Sequence, residues 1–182
     1  PVWSWQVYNP MSNISAIMGG ESRTVAIDID VMDAEKCKRI VDIAFRVLGH
    51  TDFIRQGKTP KIALIYRARA GEDIASASPK LDDGGYNGDP NMVEVLSNGK
   101  QITIFGVHHS GKYYFRWLGD KNPAFHGPEN APEITRAHVQ AFMDAIQAEI
   151  SPFMDEFSAY NSKRGIGITQ YKPTENGRMR VA

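Results

Sequence analysis

The stretch VAIDIDVMD, residues 25–33, sets two carboxylates into a run that otherwise reads as a buried β-strand. Burying a lone carboxylate is costly, so a compensating partner is expected. Side chains alternate across a strand, so Asp28 and Asp30 share one face and Ile27, Ile29 and Val31 the other. Acids at i and i+2 lie roughly 7 Å apart at their Cα atoms. Their oxygens can converge on one divalent cation or flank two ions about 3.5–4 Å apart. Oxygen ligands with water completing the shell favour Mg²⁺ or Mn²⁺. The same pattern also fits an edge strand with its polar face in water.

Working outward, DAEKCKRIVDIAFRVLGH follows the strand. Asp33 is placed to cap a helix, Cys37, Ile40, Val41, Ala44 and Leu48 recur at helical spacing, and Gly49 ends it. A strand–helix unit is expected over residues 23–49. KIALIYR, 61–67, reads as a second buried strand, and the Gly-, Asp-, Ser- and Pro-rich stretch 70–91 as an exposed loop. Two strand-like runs flank Asn98-Gly99, a strong hairpin signal. HHSG forms a further turn and KYYFRWL a further strand, so a meander is expected over 92–118. Thr135 caps a helix carrying Val139, Phe142, Met143, Ile146 and Ile150 on one face, with Pro152 interrupting it. Residues 1–20 read as a strand or loop feeding the first clear strand. The expected class is α/β (α+β), a mixed, largely antiparallel sheet with flanking helices. The domain spans 1–160, and 161–182 reads as a C-terminal tail or linker.

Glu94, in MVEVL, is a third acid inside an apolar strand, with Val93 and Val95 on the opposite face. Two strand acids close in sequence and one distant suit a two-metal phosphoryl-transfer site. A salt bridge in an exposed hairpin would explain Glu94 as well. Two basic clusters can meet phosphate. RQGKTPKIALIYR brings Arg55, Lys58 and Lys61; FGVHHSGKYYFRW brings His108, His109, Lys112 and Arg116. Tyr113, Tyr114, Phe115 and Trp117 can stack a base or fill a core.

Composition narrows the field. At 182 residues the chain fits one domain, or two small lobes sharing a core, since domains usually run to roughly 100–200 residues. Its 21 basic and 21 acidic residues balance, which disfavours a protein that coats DNA by charge alone. One cysteine excludes an internal disulfide, and no tight His/Cys spacing favours zinc. A Ser-His-Asp hydrolase is unsupported, since no G-x-S-x-G is present. No run of about 18 apolar residues and no export signal is found, so no membrane role and a cytoplasmic setting are expected. The first residue is Pro, which reads as a fragment or processed product.

With these pieces in order, the chain resembles the bifunctional DNA primase/polymerase (prim-pol) family of the archaeo-eukaryotic primase superfamily, from about NISAIMGG to FRW. SRTVAIDIDV is similar to the family's first motif, a strand with two metal-binding acids, which gives those roles to Asp28 and Asp30. VEVLSNGKQITIFGVHHSGKYYFRW is similar to the later block, where Glu94 stands at the family's frequent Asp and completes the metal set. Gly106, His108, Gly111 and Tyr114 follow the family's turn. The second motif usually ends in a phosphate-contacting His; GKTPKIALIYR has none, and Lys61 is its candidate replacement, with His108 as rival.

The resemblance implies a primase and/or DNA polymerase with an RRM-like catalytic core, using Mg²⁺ or Mn²⁺ and encoded by a phage, plasmid or bacterial or archaeal element. Asp28, Asp30 and Glu94 would be catalytic metal ligands; Lys61, His108 and Lys112 would bind nucleotide; Arg55, Lys58 and Arg116 would bind nucleic acid. The implied partners are DNA template and primer, nucleoside triphosphates, and a helicase, either as a domain C-terminal to the fragment or as a separate subunit. Two other readings stay open. A ribonuclease-H-like nuclease would draw a further acid from Asp144 or Glu149 on the late helix. A non-catalytic nucleic-acid-binding module would rest on the aromatics of 113–117.

Overall fold

The Asp-bearing strand lies inside a six-stranded sheet, with helices on one face and a two-stranded ribbon over part of the other. The computed structural model describes residues 13–78, 81, 91–162, 171–172 and 180–181, as backbone alone from 151 onward. In chain order the strands are β1 (Ile14–Ile17), β2 (Thr24–Asp30), β3 (Ile54–Gln56), β4 (Ile62–Ala68), β5 (Met92–Leu96), β6 (Gln101–Phe105), β7 (Arg116–Trp117), β8 (Glu133–Ile134), β9 (Tyr171–Lys172) and β10 (Arg180–Val181). The helices are α1 (Ala34–Leu48) and α2 (Arg136–Ser162). The class is mixed α+β with mostly antiparallel sheets. Strand order is β5-β2-β4-β3-β7, and β8 joins β4 in parallel beyond the end of β3.

The alternation of β2 decides the layering. Val25, Ile27 and Ile29 share a core with Leu64, Tyr66, Val93 and Val95 from the neighbouring strands. Ile40, Ile43 and Ala44 of α1 and Val139, Phe142, Ile146 and Ile150 of α2 close it from above. Asp33 caps α1 by accepting a bond from the Lys36 N–H at 2.8 Å, and Thr135 Oγ1 accepts from the His138 N–H at 3.2 Å at the start of α2. Burying each of these aliphatic side chains contributes about 1.5–3 kcal/mol. The opposite face carries a second core: Ala26, Ile65, Leu96 and Phe53 under Ile102 and Ile104 of the β1–β6 ribbon.

Three expectations need correction. The turn at Asn98-Gly99 forms, with both residues at positive φ and the Lys100 N–H bonded to the Ser97 carbonyl. Its two strands nevertheless do not pair: β5 lies against β2, and β6 crosses over the face to β1. The apolar Leu96, Ile102 and Ile104 are buried together in that second layer, which favours the crossing over a flat hairpin. The expected meander is therefore split between two sheets. The KYYFRWL strand shrinks to β7, extended by one bridge between Val107 and Tyr114. Finally, α2 runs through Pro152, which has no N–H to donate yet does not end the helix.

Residues 79–80 and 82–90 of the 70–91 loop, residues 1–12 and most of 161–182 lie outside the described residues. Among the described residues no helix is long and apolar enough to cross a membrane.

Candidate active site

Where the ribbon's cover ends, the acids emerge. Asp28 of β2 stands directly opposite Glu94 of β5 in the ladder, and Ala63 of β4 is its partner on the other side. Directly opposed residues bring their Cβ atoms to about 4.5–5.5 Å. Asp30 faces Met92 and sits two residues along the same face. Register therefore unites the three acids that the sequence proposes as a set.

The row through Asp28 continues across the sheet. Arg55 of β3 opposes Ala63, and Trp117 of β7 opposes Arg55. The sequence across one face is thus Glu94, Asp28, Ala63, Arg55, Trp117. Ala63 is fully buried, and its small side chain leaves room for Arg55 to reach over β4 to Asp28. The Arg55 Nη2 donates to Asp28 Oδ1 at 3.3 Å, and Nη1 donates to the Thr103 carbonyl of β6 at 2.6 Å. The Phe115 ring covers the guanidinium, 4.7 Å from its centroid. Gly57 makes room for that ring: a Cβ there would meet Phe115 at 2.8 Å.

Each carboxylate has its own partner. Asp28 takes Arg55, Asp30 forms an ion pair with Lys61, and Glu94 accepts from the Ser78 hydroxyl at 2.8 Å. As they stand, no three His, Cys, Asp or Glu side chains among the described residues are arranged to hold a metal ion. The backbone register and the all-oxygen donor set suit Mg²⁺ or Mn²⁺; the side chains would first have to turn from Lys61 and Ser78 toward a shared point.

Burial is the main force that raises the Asp28 carboxyl from 3.8 to about 6. Arg55 opposes the rise, while the negative charges of Asp30 and Glu94 add to it and Lys61 lowers it slightly. Asp28 therefore feels both other acids through space. The native state binds this proton more tightly than the unfolded chain. Its contribution to stability is complete below about pH 4 and is lost as pH rises through 6. That displacement corresponds to at most about 3 kcal/mol. Urea unfolding of Asp28→Asn and of the unaltered chain between pH 4 and 7.5 is expected to show the variant gaining on the parent as pH rises. A pH-independent difference contradicts this.

His108 stands at the rim, in a turn closed by the Gly111 N–H on the His108 carbonyl, with Gly111 at positive φ. The His108 Nδ1 accepts from the Ser110 backbone N–H at 3.2 Å, and its ring lies 5.9 Å from Phe115. Partial burial, then the positive charges of His109, Lys61, Lys58 and Arg55, lower its basicity. These neighbours bias the imidazole toward its neutral form, and Lys58 and Lys61 are among the charges it feels. At the base of this hairpin the Asn13 amide brackets Val107, donating to its carbonyl and accepting from its N–H, both at 2.8 Å. Gly106 has φ +116°, and a Cβ there would strike Asn13 at 2.1 Å.

Other proposed residues land elsewhere. Arg55, expected on nucleic acid, is buried and held by Asp28, Thr103 and Phe115 through its two Nη atoms and its ring-facing plane, while its Nε has no hydrogen-bond partner among the described residues. Arg116 opposes Gln56, one residue out of phase with Arg55, so it faces away from the acids and bonds the Gln56 side chain at 3.4 Å. Lys112 is exposed at the hairpin tip. Of the four aromatics, Tyr113 and Tyr114 are exposed, Phe115 covers Arg55, and Trp117 donates to the Ile104 carbonyl. Asp144 and Glu149 lie on α2 in the helical layer across the sheet, where Glu149 meets Arg46 of α1 and Asp144 accepts from Gln140. Sequence reading misses Ser78, Ala63 and Thr103 as parts of the site, because only the ladder register shows them to be neighbours.

Comparison with family models, with curated proteins and with solved structures gave no match for this chain.

Proposed function

We propose that this chain is a template-directed nucleotidyltransferase, a DNA primase and/or DNA polymerase, with Asp28, Asp30 and Glu94 as ligands for Mg²⁺ or Mn²⁺. One observation carries the reading: Asp28 and Glu94 are direct partners in the β2–β5 ladder, with Asp30 on the same open face. Lys61 and His108, with the charge of Lys58 near them, would supply hydrogen-bonding groups to a triphosphate. In the reaction, the 3′ oxygen of a primer or first nucleotide bonds the α-phosphorus as the bond to the β-phosphate oxygen breaks. Pyrophosphate leaves, and the hydroxyl proton passes to water.

Divalent cations held by the acids would neutralise charge developing on the phosphoryl oxygens. The chain's own part is to fix the acids by strand pairing and to present Lys61 and His108 to the leaving phosphates. The exposed Tyr113 and Tyr114 are available to stack a template base.

Supplying primed and unprimed single-stranded DNA with Mn²⁺ or Mg²⁺ and either ribo- or deoxyribonucleoside triphosphates tests the reading. Primer extension or de novo oligonucleotide synthesis is expected. Nicking without incorporation favours the nuclease reading, although the structure leaves that reading without its helix-borne acid at the site. Binding to DNA that survives Asp28→Ala unchanged, with no incorporation under any condition and with Lys112→Ala abolishing it, favours the non-catalytic module.

A further inference from the structure

Both strand acids of β2 are neutralised by the protein's own cations, but the two cations are held very differently. Arg55 has 9% of its side chain exposed, is tied to the Thr103 carbonyl at 2.6 Å and lies beneath Phe115. Leaving Asp28 would break all three contacts. Lys61 has 25% of its side chain exposed and, among the described residues, Asp30 is its one ion-pair partner. Asp30 is itself 37% exposed. Lys61 precedes Ile62, the ladder partner of Ile29, so its backbone continues the row beside Asp30. Its charge also reaches Asp28 on one side and His108 on the other.

We propose that Lys61 is a displaceable counterion: it holds Asp30 while the site lacks a divalent cation, and is released toward the phosphates at the His108 rim when a cation takes Asp30. The inference rests on the functional reading above and adds a regulation to it. A primary ammonium on a four-carbon stem suits this exchange, because it is a compact charge with no fixed geometry. A rigid fork such as Arg55 does not. Lys61 and the cation then compete for Asp30 when no nucleotide is present. When a polyphosphate is present, Lys61 binds the second ligand and the two act in concert.

The test is Mn²⁺ binding to the full chain by calorimetry or electron paramagnetic resonance, first without nucleotide and then with inorganic tripolyphosphate. Lys61→Met keeps the stem and removes the charge. It is expected to bind Mn²⁺ about 3–10-fold more tightly than the parent, the range set by a partly exposed ion pair of about 1 kcal/mol. With Mn²⁺ present, the same variant is expected to bind tripolyphosphate about tenfold more weakly. Lys61→Arg retains the charge and is expected to leave Mn²⁺ affinity close to the parent's, which separates the charge effect from any disturbance of folding.

Unchanged or weaker Mn²⁺ binding by a folded Lys61→Met overturns the counterion role and leaves the metal site standing. Asp28→Asn and Glu94→Gln serve as the controls for that site. If neither weakens Mn²⁺ binding, the metal-site reading fails, and the counterion role fails with it.

Discussion

Replacing Asp28 by Asn is expected to lower nucleotide incorporation by about 10²–10³-fold while the chain stays folded, and Glu94→Gln is expected to do nearly the same. Loss of a single group that stabilises transition-state charge commonly removes about 10²–10³ in rate. Asp28 sits at the centre of the acid row, opposed to Glu94 of β5 and two residues from Asp30. The substitutions are nearly isosteric, and Asp28→Asn keeps an amide oxygen that can accept from Arg55, so the chain is expected to remain folded, though less stable for losing the charge opposite Arg55. The pair should also be strongly non-additive: once either ligand is gone, removing the other costs little more. Primer extension with saturating Mn²⁺, beside a urea unfolding curve for each variant, checks this. Full activity in Glu94→Gln would make the cross-strand pairing a coincidence of packing.

The second large effect concerns stability. Arg55→Met should destabilise the chain by about 3–5 kcal/mol, the usual result of removing one member of a buried pair. Arg55 reaches across the small Ala63 to Asp28, anchors the ribbon through the Thr103 carbonyl, and carries Phe115 on its outer face. It thus couples the main sheet, the β1–β6 ribbon and the His108 hairpin. Arg55→Lys should recover little, because a single ammonium cannot reproduce two divergent N–H bonds and a stacked plane. In the double variant with Asp28→Asn part of the loss should disappear, since no buried carboxylate is left without a partner. A double-mutant cycle in urea reads the coupling, expected at about 1 kcal/mol or more. Additive effects would mean that Arg55 acts through packing alone.

How far the sequence reaches is visible at individual residues. The alternation VAIDIDV puts Asp28 and Asp30 on one face and the isoleucines on the other; in the structure the isoleucines meet the helices and the acids lie on the opposite face. Asp33, Thr135 and the buried stripes of α1 and α2 are equally readable, because capping and helical period are local properties. The opposition of Asp28 and Glu94 is a matter of register between strands more than sixty residues apart, which no local pattern specifies. Arg55 shows the same limit. Its cluster of basic neighbours suggests a surface contact, yet β3 is three residues long and its burial depends on Ala63, Thr103 and Phe115 arriving from three other segments. Asn98-Gly99 announces a turn correctly, but turn chemistry leaves open which strand each arm will pair with.

Lys61 lies between these cases. Its sequence position at the head of a strand marks it as a phosphate contact, whereas the structure gives it Asp30 as partner. Both roles fit one residue if the acid is exchanged for phosphate as a cation arrives.

The most direct measurement is a crystal structure with Mn²⁺ and a nucleoside triphosphate, read from the anomalous signal of the metal. The expected result is density within about 2 Å of oxygens from Asp28, Asp30 and Glu94 together, with Lys61 moved off Asp30 onto phosphate. Metal bound elsewhere, with those acids still turned to Arg55, Lys61 and Ser78, would contradict the assignment.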